Sequence, residues 1–198
     1  MKFLIAALAY VAASATAAPI IGQPAPDFDG TTTGDENVSL SDFAGQNVIL
    51  EWTNDGCPYV QKHYGSGNMQ SLQKRTTAQD VVWLTIISSA PGQQGYVTPE
   101  EADELTTSRK AAPSHVILDP EGTIGQLYSA KTTPHMFLID EEGVLQYAGA
   151  IDSIPSSDID DIAHAENYVS AALTSLNKNQ PVVTKQTRPY GCSVKYAS

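Results

Sequence analysis

The chain has 198 residues, with 11 Lys and Arg against 22 Asp and Glu and a formal net charge of −11. So few cations cannot build a phosphate-binding face, which excludes nucleic acid as a partner. A 41% apolar and 17% charged composition is that of a chain that buries a core. At the start, Met1-Lys2, the apolar run Phe3 to Ala13 and Ala15-Thr16-Ala17 have the three-part form of a secretion signal cleaved after Ala17. The run is shorter than the ~20 residues that a membrane-spanning helix needs. The expectation is a signal peptide over 1–17 and one domain over 18–198, periplasmic or secreted, with no membrane association after signal cleavage. Loss of Lys2 takes the charge from −11 to −12.

Residues 19–37, rich in Pro, Gly, Thr and acidic side chains, read as an irregular opening segment. Ser39 to Gly45 resembles one helical turn closed by glycine. Val48 to Trp52 is a short apolar strand. Cys57-Pro58 then opens a helix, Pro being favoured at the first helical position. That helix extends to about Thr76 with an interruption at Gly65-Ser66-Gly67. Val81 to Ile87 has the continuous apolar character of a strand buried on both faces. Thr98-Pro99-Glu100-Glu101 is a helix start, with Thr as N-cap and Glu three residues later. Val116 to Leu118 is a strand and Gly122 to Ser129 a short helix. His135 to Ile139 and Val144 to Ala148 are strands joined by a turn at Asp140-Glu141-Glu142-Gly143. From Ser157, Ile159, Ile162, Val169, Leu173 and Leu176 keep helical spacing, which predicts one long amphipathic last helix. The order predicts an α/β fold, a mixed sheet flanked by helices on both faces with an antiparallel hairpin at one edge.

Two cysteines remain after signal cleavage, Cys57 and Cys192. In an oxidising compartment two thiols within reach become a disulfide, either structural or used. Cys57 stands between a strand and a helix, at the N-cap, where the helix dipole favours a thiolate. Pro134, before a strand, is either a trans strand-start or a cis proline. Trp52 and Trp83 are strand positions in the core. The segment from 180 onward has no period of its own. Its apolar residues and Cys192 predict that it folds back over the domain and brings Cys192 to Cys57.

Trp52 to Val60 together with Thr133 to Gly143 resembles the thioredoxin superfamily. The peroxiredoxin-like branch, of the alkyl hydroperoxide reductase and thiol-specific antioxidant type, is the nearest match. Gln23 to Phe28 is similar to that branch's opening, and Arg188 to Tyr196 to the Cys-bearing C-terminal tail of one subgroup. The resemblance spans roughly residues 20–196 and implies a thioredoxin-like fold with Pro134 as a cis proline beside the reactive cysteine. It implies a thiol-dependent oxidoreductase in which Cys57 attacks a peroxide or a protein disulfide and Cys192 resolves the product. An external thiol reductant would restore the pair. Set against a C-x-x-C motif, Asn54 takes the first cysteine's place and Cys57 the second's. Peroxiredoxins place Thr three residues before the attacking Cys. Asn54 stands there, which makes the adjacent Thr53 the candidate substitute.

The competing class is a non-catalytic binding module stapled by a structural Cys57–Cys192 bond. A copper site, with His135 as its best ligand among His63, His115, His135 and His164, is a minor reading. The copper chaperones of this fold carry C-x-x-x-C, and position 53 is Thr. No metal and no cofactor are therefore expected.

Overall fold

The computed structural model describes residues 18–197, and the expected signal over 1–17 lies outside the described residues. The elements are β1 (Asp29–Thr32), β2 (Asn37–Ser39), β3 (Val48–Trp52), α1 (Pro58–Gly65), α2 (Asn68–Thr77), β4 (Val82–Ile87), α3 (Pro99–Ser108), β5 (His115–Leu118), α4 (Thr123–Leu127), β6 (Thr132–Thr133), β7 (His135–Ile139), β8 (Leu145–Gly149), α5 (Tyr168–Asn177) and β9 (Cys192–Ser193). Short 3-10 turns lie at Leu40–Phe43 and Asp160–Ala163.

Seven strands form one mixed sheet in the order β2-β1-β5-β4-β3-β7-β8, with β3, β4 and β5 parallel. Strand β7 runs antiparallel to β3 and β8 antiparallel to β7, so the closing hairpin forms one edge. The α/β, thioredoxin-like sheet with helices on both faces is therefore present. Strand alternation divides the core in two. Leu50, Trp52, Leu84, Ile86 and Phe137 face Ile124, Tyr128 and the 3-10 turn at Leu40. Ile49, Trp83, Met136 and Leu138 face α1, α2 and α5 through Val60, Tyr64, Met69, Leu72, Val169 and Leu173. Both strands in the middle of the sheet are buried along their length, as their unbroken apolar runs require.

One charge breaks that pattern. Glu51 is fully buried in β3 and accepts hydrogen bonds from Trp83 Nε1 (2.8 Å), Tyr64 Oη (2.9 Å), Gln73 Nε2 (3.2 Å) and Thr85 Oγ1 (3.2 Å). Burial pushes its carboxyl above the ordinary range despite these donors.

Two local expectations need correction. The opening segment is not irregular throughout: Asp29–Thr32 and Asn37–Ser39 pair as a hairpin, and β1 joins β5. Gly30 packs inward, where a Cβ would stand 2.6 Å from Ile117 Cγ2, so no large apolar residue marks that strand. The predicted long last helix is a 3-10 turn and a separate α5. Asn167 caps α5, its Oδ1 accepting from Ser170 N at 2.8 Å. Upstream, Asp158 Oδ1 captures the Asp160 N–H and Ser156 Oγ pairs with Asp161, which favours turns over a continuous helix. The helix that begins after Cys57 is interrupted where expected, dividing into α1 and α2 around Gly67, whose φ of +77° suits glycine. The Thr98 capping box forms as its residues predict, Glu101 N donating to Thr98 Oγ1 at 3.3 Å and Thr98 N to Glu101 Oε2 at 2.8 Å. Among the described residues no helix is long and apolar enough to cross a membrane.

Candidate active site

Strand β3 delivers the chain to a loop at the carboxyl end of the parallel strands, where open α/β sheets place their reactive groups. The Asn54 side chain shapes this loop: its Oδ1 accepts from Gly56 N at 2.9 Å and its Nδ2 donates to Gln94 O at 3.1 Å. The loop sets Cys57 as N-cap of α1, with Pro58 at the first helical position. Asn54 therefore lies before the helix with its side chain committed elsewhere. A partner thiol of a local C-x-x-C would stand at Val60, on the first turn, so Cys57 matches the first cysteine of that motif. This reverses the alignment drawn from sequence.

Cys57 is 0% exposed. Its thiol donates to the Thr133 carbonyl oxygen at 3.0 Å, and its Sγ accepts from Cys192 N–H at 3.4 Å. The Thr133–Pro134 peptide is cis. Both cysteines are free thiols, Cys192 half-buried above Cys57. Burial opposes ionisation of Cys57, but the Cys192 thiol and the backbone N–H groups of Cys192 and Val60 outweigh it and hold Cys57 below the ordinary thiol value. Burial, the hydrogen bond with Cys57 and the negative charge there push Cys192 up to about 11.

The segment after α5 reaches Cys57 by a series of backbone and side-chain bonds. Ala148 N donates to Lys185 O (3.1 Å), and Thr187 N donates back to Ala148 O (3.2 Å). Thr187 Oγ1 accepts from Ala150 N at 2.9 Å and lies 2.6 Å from Tyr147 Oη. Strand β9 then pairs antiparallel with β6, Cys192 opposite Thr133. Beyond it, Val194 N donates to Lys131 O (3.1 Å), and Tyr196 Oη donates to Ala130 O (2.8 Å). Gly191, at φ +136°, lies flat on the Thr133–Pro134 peptide. A Cβ there would stand 2.7 Å from the Thr133 carbonyl carbon and closer still to its oxygen.

The site thus brings together Cys57, Cys192 and the Thr133–Pro134 peptide. Thr53 is placed differently. It is buried, its N–H donates to Ile86 O at 3.1 Å, and its Oγ1 has no hydrogen-bond partner among the described residues. It lines a small cavity with Asn54, Tyr64, Thr85 and Arg109, which does not include Cys57. His135 is buried on Phe137, its Nδ1 accepting from Lys131 N at 3.3 Å. Among the described residues no group of three or more His, Cys, Asp or Glu is gathered as a metal would require. Sequence reasoning did not identify Gly191 or Tyr190 of the tail, nor the buried Asp152 beside it, and it named His63 only as a minor candidate for copper. The adjoining Tyr190-Gly191-Cys192 was the available signal.

A parallel-centred sheet, a helix-capping cysteine and a cis proline across from it define a thioredoxin-like thiol protein. The model of the AhpC/TSA family matches residues 21–148, and the chain belongs to that family. Thioredoxin-like protein YneN of Bacillus subtilis (strain 168) is 28% identical over 126 residues, covering 63% of this chain and 68% of that protein. Among solved structures, a hypothetical protein from Sinorhizobium meliloti 1021 superposes with a TM-score of 0.75 at 21% identity, over 92% of this chain and 97% of that one. A conserved protein from Geobacillus kaustophilus gives 0.74 at 23% identity, over 90% and 93%. A putative thiol:disulfide interchange protein DsbE from Chlorobium tepidum gives 0.54 at 24% identity, over 66% and 85%. These likenesses are of the thioredoxin-like fold.

Proposed function

We propose that this protein is an exported thiol-dependent oxidoreductase whose redox couple is Cys57 and Cys192. The observation that carries the reading is the Cys192 N–H resting on Cys57 Sγ, across 135 positions of sequence. Cys57, the thiol held below its ordinary value, is the nucleophile. It attacks one sulfur of a protein disulfide, forming a mixed disulfide and expelling the other sulfur as thiolate. Against a peroxide it displaces an alcohol or water and becomes a sulfenic acid. Cys192 then attacks Cys57 Sγ. From the mixed disulfide the electron pair leaves on the substrate sulfur, which takes a proton; from the sulfenic acid water leaves. Either way the substrate gains two electrons and two protons, and Cys57 and Cys192 end joined. An external thiol reductant returns the pair by exchange. Burial raises Cys192 most, and the further rise from its hydrogen bond with Cys57 and the negative charge there disappears once Cys57 is in the mixed disulfide. Export rests on the pattern of residues 1–17.

The test is non-reducing peptide mapping of reduced protein exposed separately to a peroxide and to a disulfide-bonded protein, with Cys57→Ser and Cys192→Ser as controls. A Cys57–Cys192 bond that forms rapidly and is reopened by a thiol reductant without unfolding supports the enzyme, and the faster oxidant identifies the substrate class. A bond that cannot be cycled without unfolding makes it a structural staple. Cysteines that never pair would refute the couple.

A further inference from the structure

Beside Cys57 lies a buried polar cluster that the redox chemistry above does not use. Lys62, His63 and Asp152 are 1%, 0% and 3% exposed. Burying charges is unfavourable unless each is paired and hydrogen-bonded. Lys62 Nζ donates to Asp152 Oδ2 (3.4 Å) and to Ile154 O (3.1 Å). Asp152 Oδ1 accepts from Ile154 N (3.1 Å) and from the hydroxyl of Tyr190. Asn68 Nδ2 donates to His63 Nδ1 at 2.9 Å, which leaves the ring proton on Nε2, 3.3 Å from the Tyr190 oxygen. Every donor in this chain therefore has its acceptor: Asn68 to His63, His63 to Tyr190, Tyr190 to Asp152, Lys62 to Asp152. The tyrosine ring sits edge-on to Tyr59, and Lys62 Nζ lies 5.8 Å from its centroid.

Only Tyr190 in this cluster comes from the tail, and it stands two residues before Cys192. Between the Thr187 anchor and Cys192, the intervening Arg188, Pro189 and Gly191 have no side-chain hydrogen bond among the described residues. Tyr190 is thus where the body of the domain grips the tail next to the thiol.

We infer that Tyr190 is a positioning residue for the resolving step: Asp152 and His63 hold its hydroxyl so that Cys192 is presented to Cys57. The inference rests on the Cys57–Cys192 couple proposed above. Removing the hydroxyl leaves His63 Nε2 without an acceptor and takes one donor from Asp152. Buried groups stripped of a partner incur a desolvation penalty, and here the tail escapes it by lifting off. The effective concentration of Cys192 at Cys57 then falls.

The experiment measures the Cys57–Cys192 equilibrium constant against mixtures of reduced and oxidised glutathione, by mass mapping after acid quench. Wild type, Tyr190→Phe, Asp152→Asn and the neighbouring control Arg188→Ala are compared, with circular dichroism of each. Tyr190→Phe should weaken the bond about tenfold, which is about 30 mV in potential, with circular dichroism unchanged. Asp152→Asn, which keeps the shape of the acceptor, should move the constant in the same direction, and Arg188→Ala should leave it alone. A Tyr190→Phe constant equal to wild type overturns the positioning role while leaving the redox couple standing. A shift in Arg188→Ala as large as in Tyr190→Phe also overturns it, since any change in the tail would then suffice. A wild type in which the bond never forms overturns the couple itself and this role with it.

Discussion

Gly191→Ala tests how closely the tail must approach. The added methyl meets the Thr133 carbonyl carbon at 2.7 Å and Pro134 N at 3.4 Å. Ordinary carbon contacts lie at about 3.5–4.0 Å, so tail and β6 must separate by roughly 1 Å. That movement takes the 3.4 Å contact between Cys192 N–H and Cys57 Sγ out of reach. Alanine at φ +136° adds backbone strain, of order 1–3 kcal/mol. The tail can shed the strain by detaching, so the variant stays folded and the cost appears in the docked-to-open equilibrium. A penalty of about 2 kcal/mol raises the open fraction about thirtyfold. Cys57, sealed in the docked form, is alkylated only when open. The assay is the alkylation rate of reduced Cys57, followed with pH to its plateau so that a change in thiolate fraction is separated from a change in access. The plateau should rise about thirtyfold in Gly191→Ala while the yield of Cys57–Cys192 bond falls. Identical plateaus and yields in the two proteins would refute the reasoning.

In the reduced wild type, Cys57 should be alkylated at a lower pH than Cys192, which is pushed up to about 11; mass mapping of both sites across pH reads this, and a Cys192 that reacts first contradicts it. His63 and His135 are held at about 4 and about 3, chiefly by burial, against an ordinary 6.5. The unfolded chain takes protons that the folded one refuses. Their contribution is whole above pH 6.5 and is lost as pH falls toward 4, by about 2–3 kcal/mol for each. Urea unfolding at about pH 7 and about pH 4.5 measures the fall. His135→Gln should reduce it by that amount, and an unaltered fall would exclude His135 as a source. Glu51→Leu strands the Trp83, Tyr64, Gln73 and Thr85 donors and should lower the unfolding free energy by about 3 kcal/mol or more; denaturant titration giving less than about 1 kcal/mol would show that the shell re-pairs.

The central strands were legible because an unbroken apolar run has one good solution, burial on both faces. Cys57 and its helix were legible because Pro58 marks a first turn whatever surrounds it. The β1–β2 hairpin was not, because its inward positions are Gly30 and Thr32, which carry no hydrophobic alternation. The break before α5 was hidden for the opposite reason: Ile159 and Ile162 keep helical spacing while Ser156, Asp158 and Asp161 side chains take up turn bonds locally. For the site, the sequence supplied the two thiols, the Thr133-Pro134 pair and the return of the tail to Cys57, but not the contacts that seat the tail there. Gly191 matters through the absence of a side chain. Tyr190 matters through partners at positions 63 and 152, and no local spacing points to them. Thr53 was chosen for its distance along the chain from Cys57, yet the strand end turns it toward the α3 side.

The separation of 135 positions between the sulfurs has a mechanical meaning. Drawn straight, that stretch spans roughly 450–490 Å of contour. With the thiols reduced, a molecule pulled by its two ends can pay out all of it. With the proposed bond closed, tension passes from residue 57 directly to residue 192, and four of the seven sheet strands, β4, β5, β7 and β8, lie in a slack ring that the force bypasses. Two electrons would then decide whether those four strands are in the line of force or hang beside it. The extension of single molecules pulled under oxidising and reducing conditions would report that difference directly.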